Sequence, residues 1–222
     1  MAPATTKSLI EGCGEAWKQA TLHPFLDAVA DGSIKPEQFN TWLVQDYHFV
    51  RAFVRFTATT MASAPDAHMA TLLGGMAVLQ GELAWFREKA AQRGLDLDGA
   101  ELQPACRAYR DLMAELQYGP GGAAATGGSG GAPYAVKAAA FWAIEACYNT
   151  AWGGLLGRTG PEYSEYVSRW GSPEFGQYVE VLAAQADAAL AQEGPEVAAS
   201  AAEVVKRIAD LEVRFWGMAY GG

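Results

Sequence analysis

The chain reads as an all-α protein, a single-domain helical bundle. Three observations predict this. Apolar residues recur at i, i+3 and i+4 through most of its 222 residues, no alternating strand pattern of useful length interrupts them, and Pro and Gly fall where helices should begin and end.

Taken in order, that periodicity predicts long helices near 7–20, 36–62, 67–92, 101–117, 134–157, 173–192 and 195–218, with shorter ones near 24–30 and 161–169. Pro36 and Glu37 open the second long helix after the turn Asp31–Lys35. Pro65-Asp66 separates it from the next, which Gly94 ends. Gly171-Ser172-Pro173 and Gly194-Pro195 mark the later boundaries. The stretch Gly119–Gly131 (GPGGAAATGGSGG) is low-complexity and reads as a flexible Gly/Ala surface loop. The apolar faces on either side of it look incomplete alone, so residues 1–222 are expected to form one domain.

Composition removes several function classes. A formal charge of −9 and a pI near 4.8, without any Lys/Arg cluster, argue against a nucleic-acid or anionic-membrane surface. The run around 138–156 is broken by Glu145 and Asn149, so it reads as a core helix and not a membrane span. The three cysteines, Cys13, Cys106 and Cys147, show no metal-type spacing. An odd number of distant cysteines and an N-terminus without a basic-then-apolar leader fit a cytoplasmic protein.

The chemistry is signalled by four acids, Asp46, Glu82, Glu145 and Glu212, set in apolar helical stripes. At 100° per residue Asp46 shares its face with Trp42, Leu43, Phe49, Val50 and Phe53, and Glu82 with Val78, Leu79, Trp85 and Phe86. Glu145 is bracketed by Phe141, Trp142, Tyr148 and Trp152, and Glu212 by Val205, Ile208, Phe215 and Trp216. A buried carboxylate without a partner costs several kcal/mol or takes up a proton. Any one of them alone reads as structural, capping a helix or accepting a tyrosine hydroxyl. Together they point to a polar pocket in a helical bundle, where aromatic faces hold a flat ring and carboxylates read its amino groups.

A dinuclear metal centre is the rival reading. That class supplies nitrogen through Glu-x-x-His motifs on two helices, and none occurs here; the histidines are His23, His48 and His68. No metal and no cofactor are therefore expected. Cys147 lies two residues after Glu145 and reads more readily as a small buried apolar residue than as a nucleophile. No phosphate-binding loop follows a strand.

The segments WLVQDYHFVRAFVRF (42–56), LLGGMAVLQGELAWF (72–86), AAFWAIEACYNTAW (139–152) and LEVRFWGMAY (211–220) carry a resemblance. They resemble the TenA / thiaminase II family, and within it the plant-type branch that lacks the catalytic cysteine. The resemblance implies a heme-oxygenase-like bundle without heme, homodimeric or homotetrameric. It also implies thiamin salvage, in which 4-amino-5-aminomethyl-2-methylpyrimidine, and in this branch its N-formyl derivative, becomes the hydroxymethylpyrimidine.

Carried over residue by residue, Asp46 matches the aspartate that binds the pyrimidine's ring nitrogen and amine, and Glu212 the late-helix acid/base glutamate. Phe49 matches a ring-stacking aromatic, and Tyr109, Tyr148 and Tyr163 pocket tyrosines, with Trp142 or Tyr148 completing a ring sandwich. Where the cysteine branch has Leu-Pro-Cys, this chain has Ala143-Ile144-Glu145, and Cys147 comes too late. Glu145 and Glu82 resemble the acids used instead. The expected mechanism is carboxylate acid/base catalysis by Glu212 and Glu145, with Glu82 orienting one of them. Two alternatives remain open at this point, a non-catalytic aminopyrimidine-binding protein and a metal-dependent oxidase on the same bundle.

Overall fold

A computed structural model describes residues 4–120 and 130–221. Among the described residues it contains helices and no strand. In chain order they are α1 (Thr6–Cys13), α2 (Glu15–Thr21), α3 (Pro24–Asp31), α4 (Pro36–Met61), α5 (Asp66–Gln92), α6 (Pro104–Tyr118), α7 (Tyr134–Gly153), α8 (Pro161–Gly171), α9 (Pro173–Leu190) and α10 (Pro195–Tyr220). The chain divides into two compact units, a middle unit of Glu37–Tyr134 and a terminal unit of everything before and after it. The centre of the expected Gly/Ala loop, residues 121–129, lies outside the described residues.

Local chemistry explains the boundaries. Thr5 opens α1 with a capping box: its Oγ1 accepts from the Ser8 N–H at 3.2 Å, and Ser8 Oγ accepts from the Thr5 N–H at 2.9 Å. His23 Nδ1 accepts from the Phe25 N–H at 3.1 Å, and Pro24 fills the first helical position where no N–H is needed. Ser172 caps α9 through the Phe175 N–H at 3.2 Å. The expected helix over 7–20 is broken at Gly14, whose φ of 55° stops α1 and starts α2 at a new angle. The expected helix over 101–117 starts three residues late, at Pro104, because residues 101–103 are extended. That over 134–157 ends at Gly153 in a run of turns.

In the terminal unit α10 packs along α1, α2 and α3. Trp216 is its anchor. The indole is fully buried, stacks on Phe25 at 5.3 Å and donates Nε1–H to the Ala20 carbonyl at 2.9 Å. The α1 N-terminus is tied to α9, where the Asp187 carboxylate accepts from the Thr6 N–H at 2.6 Å. Residues 135–144 of α7 are buried without interruption, Lys137 among them. Its far end meets α8 at backbone distance: Asn149 Nδ2–H donates to the Trp170 carbonyl at 2.8 Å, and Gly171 lies against Trp152 and Gly153.

In the middle unit Gln45 joins α4 to the start of α6. Its Nε2–H donates to the Glu101 carbonyl and its Oε1 accepts from the Gln103 N–H, both at 2.9 Å. The Gln45 carbonyl accepts from Cys106 Sγ at 3.4 Å. Both ends of a buried amide are thereby satisfied, which sets the register of α6 on α4. α5 differs. It has the length and apolarity of a membrane span, a test that core helices of soluble proteins also pass, and it leaves Leu73 55% and Val78 64% exposed.

A Cβ added to Gly171 would lie 2.8 Å from the backbone of Trp152 and Gly153, and backbone has no rotamer by which to yield. Gly171→Ala is expected to destabilise the protein by about 1–3 kcal/mol, read as a lowered midpoint in thermal melts followed by circular dichroism. An unchanged midpoint contradicts this close approach.

Candidate active site

The middle unit holds Asp46, Phe49, Glu82 and Tyr109. Asp46 is 1% exposed on α4, one residue past the Gln45 amide. Its charge is felt across on α6 at Cys106, whose thiol is pushed up to about 12, chiefly by burial and further by Asp46, with Arg110 and Arg107 opposing. One turn on from Asp46, Phe49 meets the Tyr109 ring edge-on at 4.7 Å and stacks on Phe53 at 5.7 Å. Glu82 is 5% exposed on α5, in the turn before the buried Trp85 and Phe86. Asp46, Phe49, Glu82 and Tyr109 are thus all buried in this unit.

The terminal unit holds Trp142, Glu145, Tyr148, Tyr163 and Glu212. Glu212 has none of its surface exposed. One turn later on α10 come Phe215 and Trp216, and Tyr148 stacks on Trp216 at 5.5 Å while meeting Trp170 edge-on at 5.8 Å. Tyr163 is buried on α8. Trp142 stacks on Trp17 at 6.2 Å with ring planes 10° apart. Phe49, Trp142 and Tyr148 thus each have one face covered by a protein ring, so each offers at most one face to a ligand.

Glu145 corrects the sequence reading. It is half-buried, unlike Asp46, Glu82 and Glu212. The reason is tertiary. Glu145 lies on the side of α7 turned to α9, where its negative charge acts on Tyr178 and, with burial as the larger cause, raises that phenol's pKa above its ordinary range. Phe141 and Trp152 share its side of α7 and Trp142 and Tyr148 flank it, all four buried, so the partial exposure of Glu145 is set by how α9 covers it and not by its own helix.

All three cysteines are buried and free. Cys147 is pushed well above the ordinary thiol value by burial, then by the negative charge of Glu212 and by Cys13. A thiol that stays protonated is not an attacking group. Among the described residues no group of three or more His, Cys, Asp or Glu side chains is placed to hold a metal ion.

Two residues escaped the sequence reading. Gln45 positions Asp46 by clamping α4 to residues 101–103; its signal was a lone amide inside an apolar stripe. Tyr178 carries a buried hydroxyl with no hydrogen-bond partner among the described residues, an arrangement that costs about 1–3 kcal/mol. Nothing in the sequence sets it apart from an ordinary amphipathic helix residue.

A model of the TENA/THI-4/PQQC family matches residues 13–222. The chain belongs to this family. Among TenA relatives it is 35% identical to a soybean (Glycine max) protein described as a probable bifunctional TENA-E protein, over 210 residues spanning 91% of this chain and 87% of that one. It is 24% identical to the aminopyrimidine aminohydrolase of Halalkalibacterium halodurans, over 96% of this chain and 94% of that protein. The solved structure of a TenA homologue from Pyrococcus furiosus superposes with a TM-score of 0.86 at 28% identity, covering 96% of this chain and 98% of the other. With the TenA homologues the chain shares the heme-oxygenase-like helical fold.

Raised thiol pKa values mean that little thiolate exists at neutral pH. The native protein at pH 7.5 is therefore expected to resist iodoacetamide, with all three cysteines labelling only after denaturation, as read by intact-mass spectrometry. Cys147→Ser is expected to keep the wild-type turnover. Rapid labelling of Cys147 accompanied by loss of turnover restores a cysteine mechanism.

Proposed function

We propose that the protein is a cytoplasmic thiamin-salvage hydrolase, an aminopyrimidine aminohydrolase. It converts 4-amino-5-aminomethyl-2-methylpyrimidine, and the N-formyl derivative of that amine, to the hydroxymethylpyrimidine. The observation that carries this reading is Glu212, a carboxylate with no exposed surface set one turn before the Trp216–Tyr148 stack. A side chain that costs so much to bury is kept where its proton chemistry is used. Family membership supplies the substrate class, since the relative from H. halodurans bears the activity as its name.

In this reading the oxygen of water bonds to the exocyclic methylene carbon as the carbon–nitrogen bond breaks. One carboxyl of the Glu212–Glu145 pair donates a proton to the departing nitrogen, and the other takes one from the water. Such assistance is worth about 10²–10⁴ in rate. Asp46 holds the aminopyrimidine's ring nitrogen and amine through paired hydrogen bonds, and Phe49 stacks on the ring. Glu82 is the third carboxylate assigned to the reaction, and Tyr109 and Tyr163 line the substrate with Trp142 and Tyr148.

Glu212→Gln preserves shape and hydrogen bonding but removes the transferable proton. It is expected to lower kcat about 10²–10⁴-fold while leaving substrate Kd within a few-fold. Asp46→Asn is expected instead to weaken substrate binding. Product is followed by mass spectrometry and binding by calorimetry. Full turnover by Glu212→Gln sinks the assignment, and binding without product in the wild type identifies a non-catalytic binding protein.

Self-association is part of the same proposal, and α5 supports it. Along its open side run Leu73, Gly74, Ala77, Val78 and Gly81, and among the described residues nothing beyond their own helix lies within 4 Å of where a Cβ on Gly74 or Gly81 would sit. A mid-helix glycine costs about 0.5–1 kcal/mol relative to alanine, and no neighbour among the described residues requires these two. A second copy of the chain packed on this face, as homodimer or homotetramer, gives them a use. Val78→Glu is expected to shift the mass measured by light scattering toward the monomer, with the helical circular-dichroism signal retained.

A further inference from the structure

Among the buried polar groups that the reaction proposed above leaves unused is a phenol. The Tyr178 hydroxyl on α9 is buried and has no hydrogen-bond partner among the described residues, and its ring packs on Phe175 at 6.0 Å. A donor in this condition calls for an explanation, because buried hydroxyls are nearly always paired.

Its surroundings point to a ligand. α9 lies close on α7: a Cβ on Gly176 would come within 3.4 Å of Asn149 Oδ1. Asn149 is held in place by its bond to the Trp170 carbonyl. Glu145 stands four residues before Asn149, on the same side of α7. Its charge acts on the Tyr178 phenol, so the long tyrosine side chain brings its buried hydroxyl near the Glu145 carboxylate. Burial and the Glu145 charge both hold the phenol in its protonated form, so it is available as a donor at any physiological pH.

We propose that Tyr178 is a specificity-determining residue that donates its O–H to the carbonyl oxygen of an N-acylamino group on the substrate. This rests on Glu145 belonging to the reaction centre as proposed above. An alkylammonium group carries only donors and leaves the phenol proton without an acceptor. A formamide carbonyl accepts it, and the site then rejects the compound lacking that oxygen. In the deformylation step water adds to the formyl carbon, the bond from that carbon to nitrogen breaks, nitrogen gains a proton and formate leaves. Tyr178 keeps its own proton throughout. Its hydrogen bond shortens as negative charge gathers on the carbonyl oxygen.

The test compares wild type with Tyr178→Phe on the aminopyrimidine and on its N-formyl derivative, reading formate and hydroxymethylpyrimidine separately. The expected result is a fall of about 10–100-fold in kcat/KM for formate release. Turnover of the free amine should stay within about threefold, and the melting midpoint should be unchanged or raised because an unsatisfied hydroxyl has gone. Equal losses on both substrates, or none on the N-formyl compound, overturn the inference. If the wild type turns over neither substrate, the proposed function fails while calorimetry still decides about Tyr178. A preference for the N-formyl compound that disappears in Tyr178→Phe upholds its role, and identical binding by the two proteins removes it.

Discussion

A carboxylate cannot rest in an apolar interior unless the fold gives it partners or uses its proton, and the organisation of this protein follows from that constraint. Asp46, Glu82 and Glu212 are all buried on helices whose other inward residues are mostly aromatic or aliphatic. The helices carrying them must be held rigidly, because any loosening lets water in and removes whatever special character the burial confers. Each unit has its own means of doing so.

In the middle unit the means is an amide. Gln45 spends both ends of its side chain on the backbone of residues 101–103, and its own carbonyl takes the Cys106 thiol. That sets α6 against α4, brings Tyr109 onto Phe49 and places Cys106 within reach of the Asp46 charge. In the terminal unit the means is an indole. Trp216 ties α10 to the end of α2 through the Ala20 carbonyl, to α3 through Phe25 and to α7 through Tyr148. Glu212 sits one turn away on that anchored helix. Burial, and after it the charge of Glu212, raises the Cys147 thiol well above its ordinary value.

Much of the candidate site could be read from the residues. Helical period alone identifies Asp46, Glu82 and Glu212 as inward-facing acids, and it pairs Asp46 with Phe49 one turn on. Glu145 was read as equally buried because its neighbours in sequence are large and apolar. Phe141 and Trp152 do share its side of α7, and it is α9 that leaves Glu145 half-covered near Tyr178. The surroundings of the rings are tertiary in the same way. Counting aromatics cannot reveal that Trp142 already stacks on Trp17, a residue 125 positions away in the chain.

Sequence by itself determined the helical class, most helix boundaries and the face each acid occupies, because those depend on local terms: the 100° step, proline's missing N–H and the capping reach of Thr5 and Ser172. Tertiary structure alone decided what covers each face. Which ring surfaces remain open, how deeply Glu145 is buried, why Gly171 has no room for a side chain and why Tyr178 keeps an unspent donor all depend on groups brought together from distant parts of the chain. Local periodicity says where a side chain points, and only packing says what it meets there.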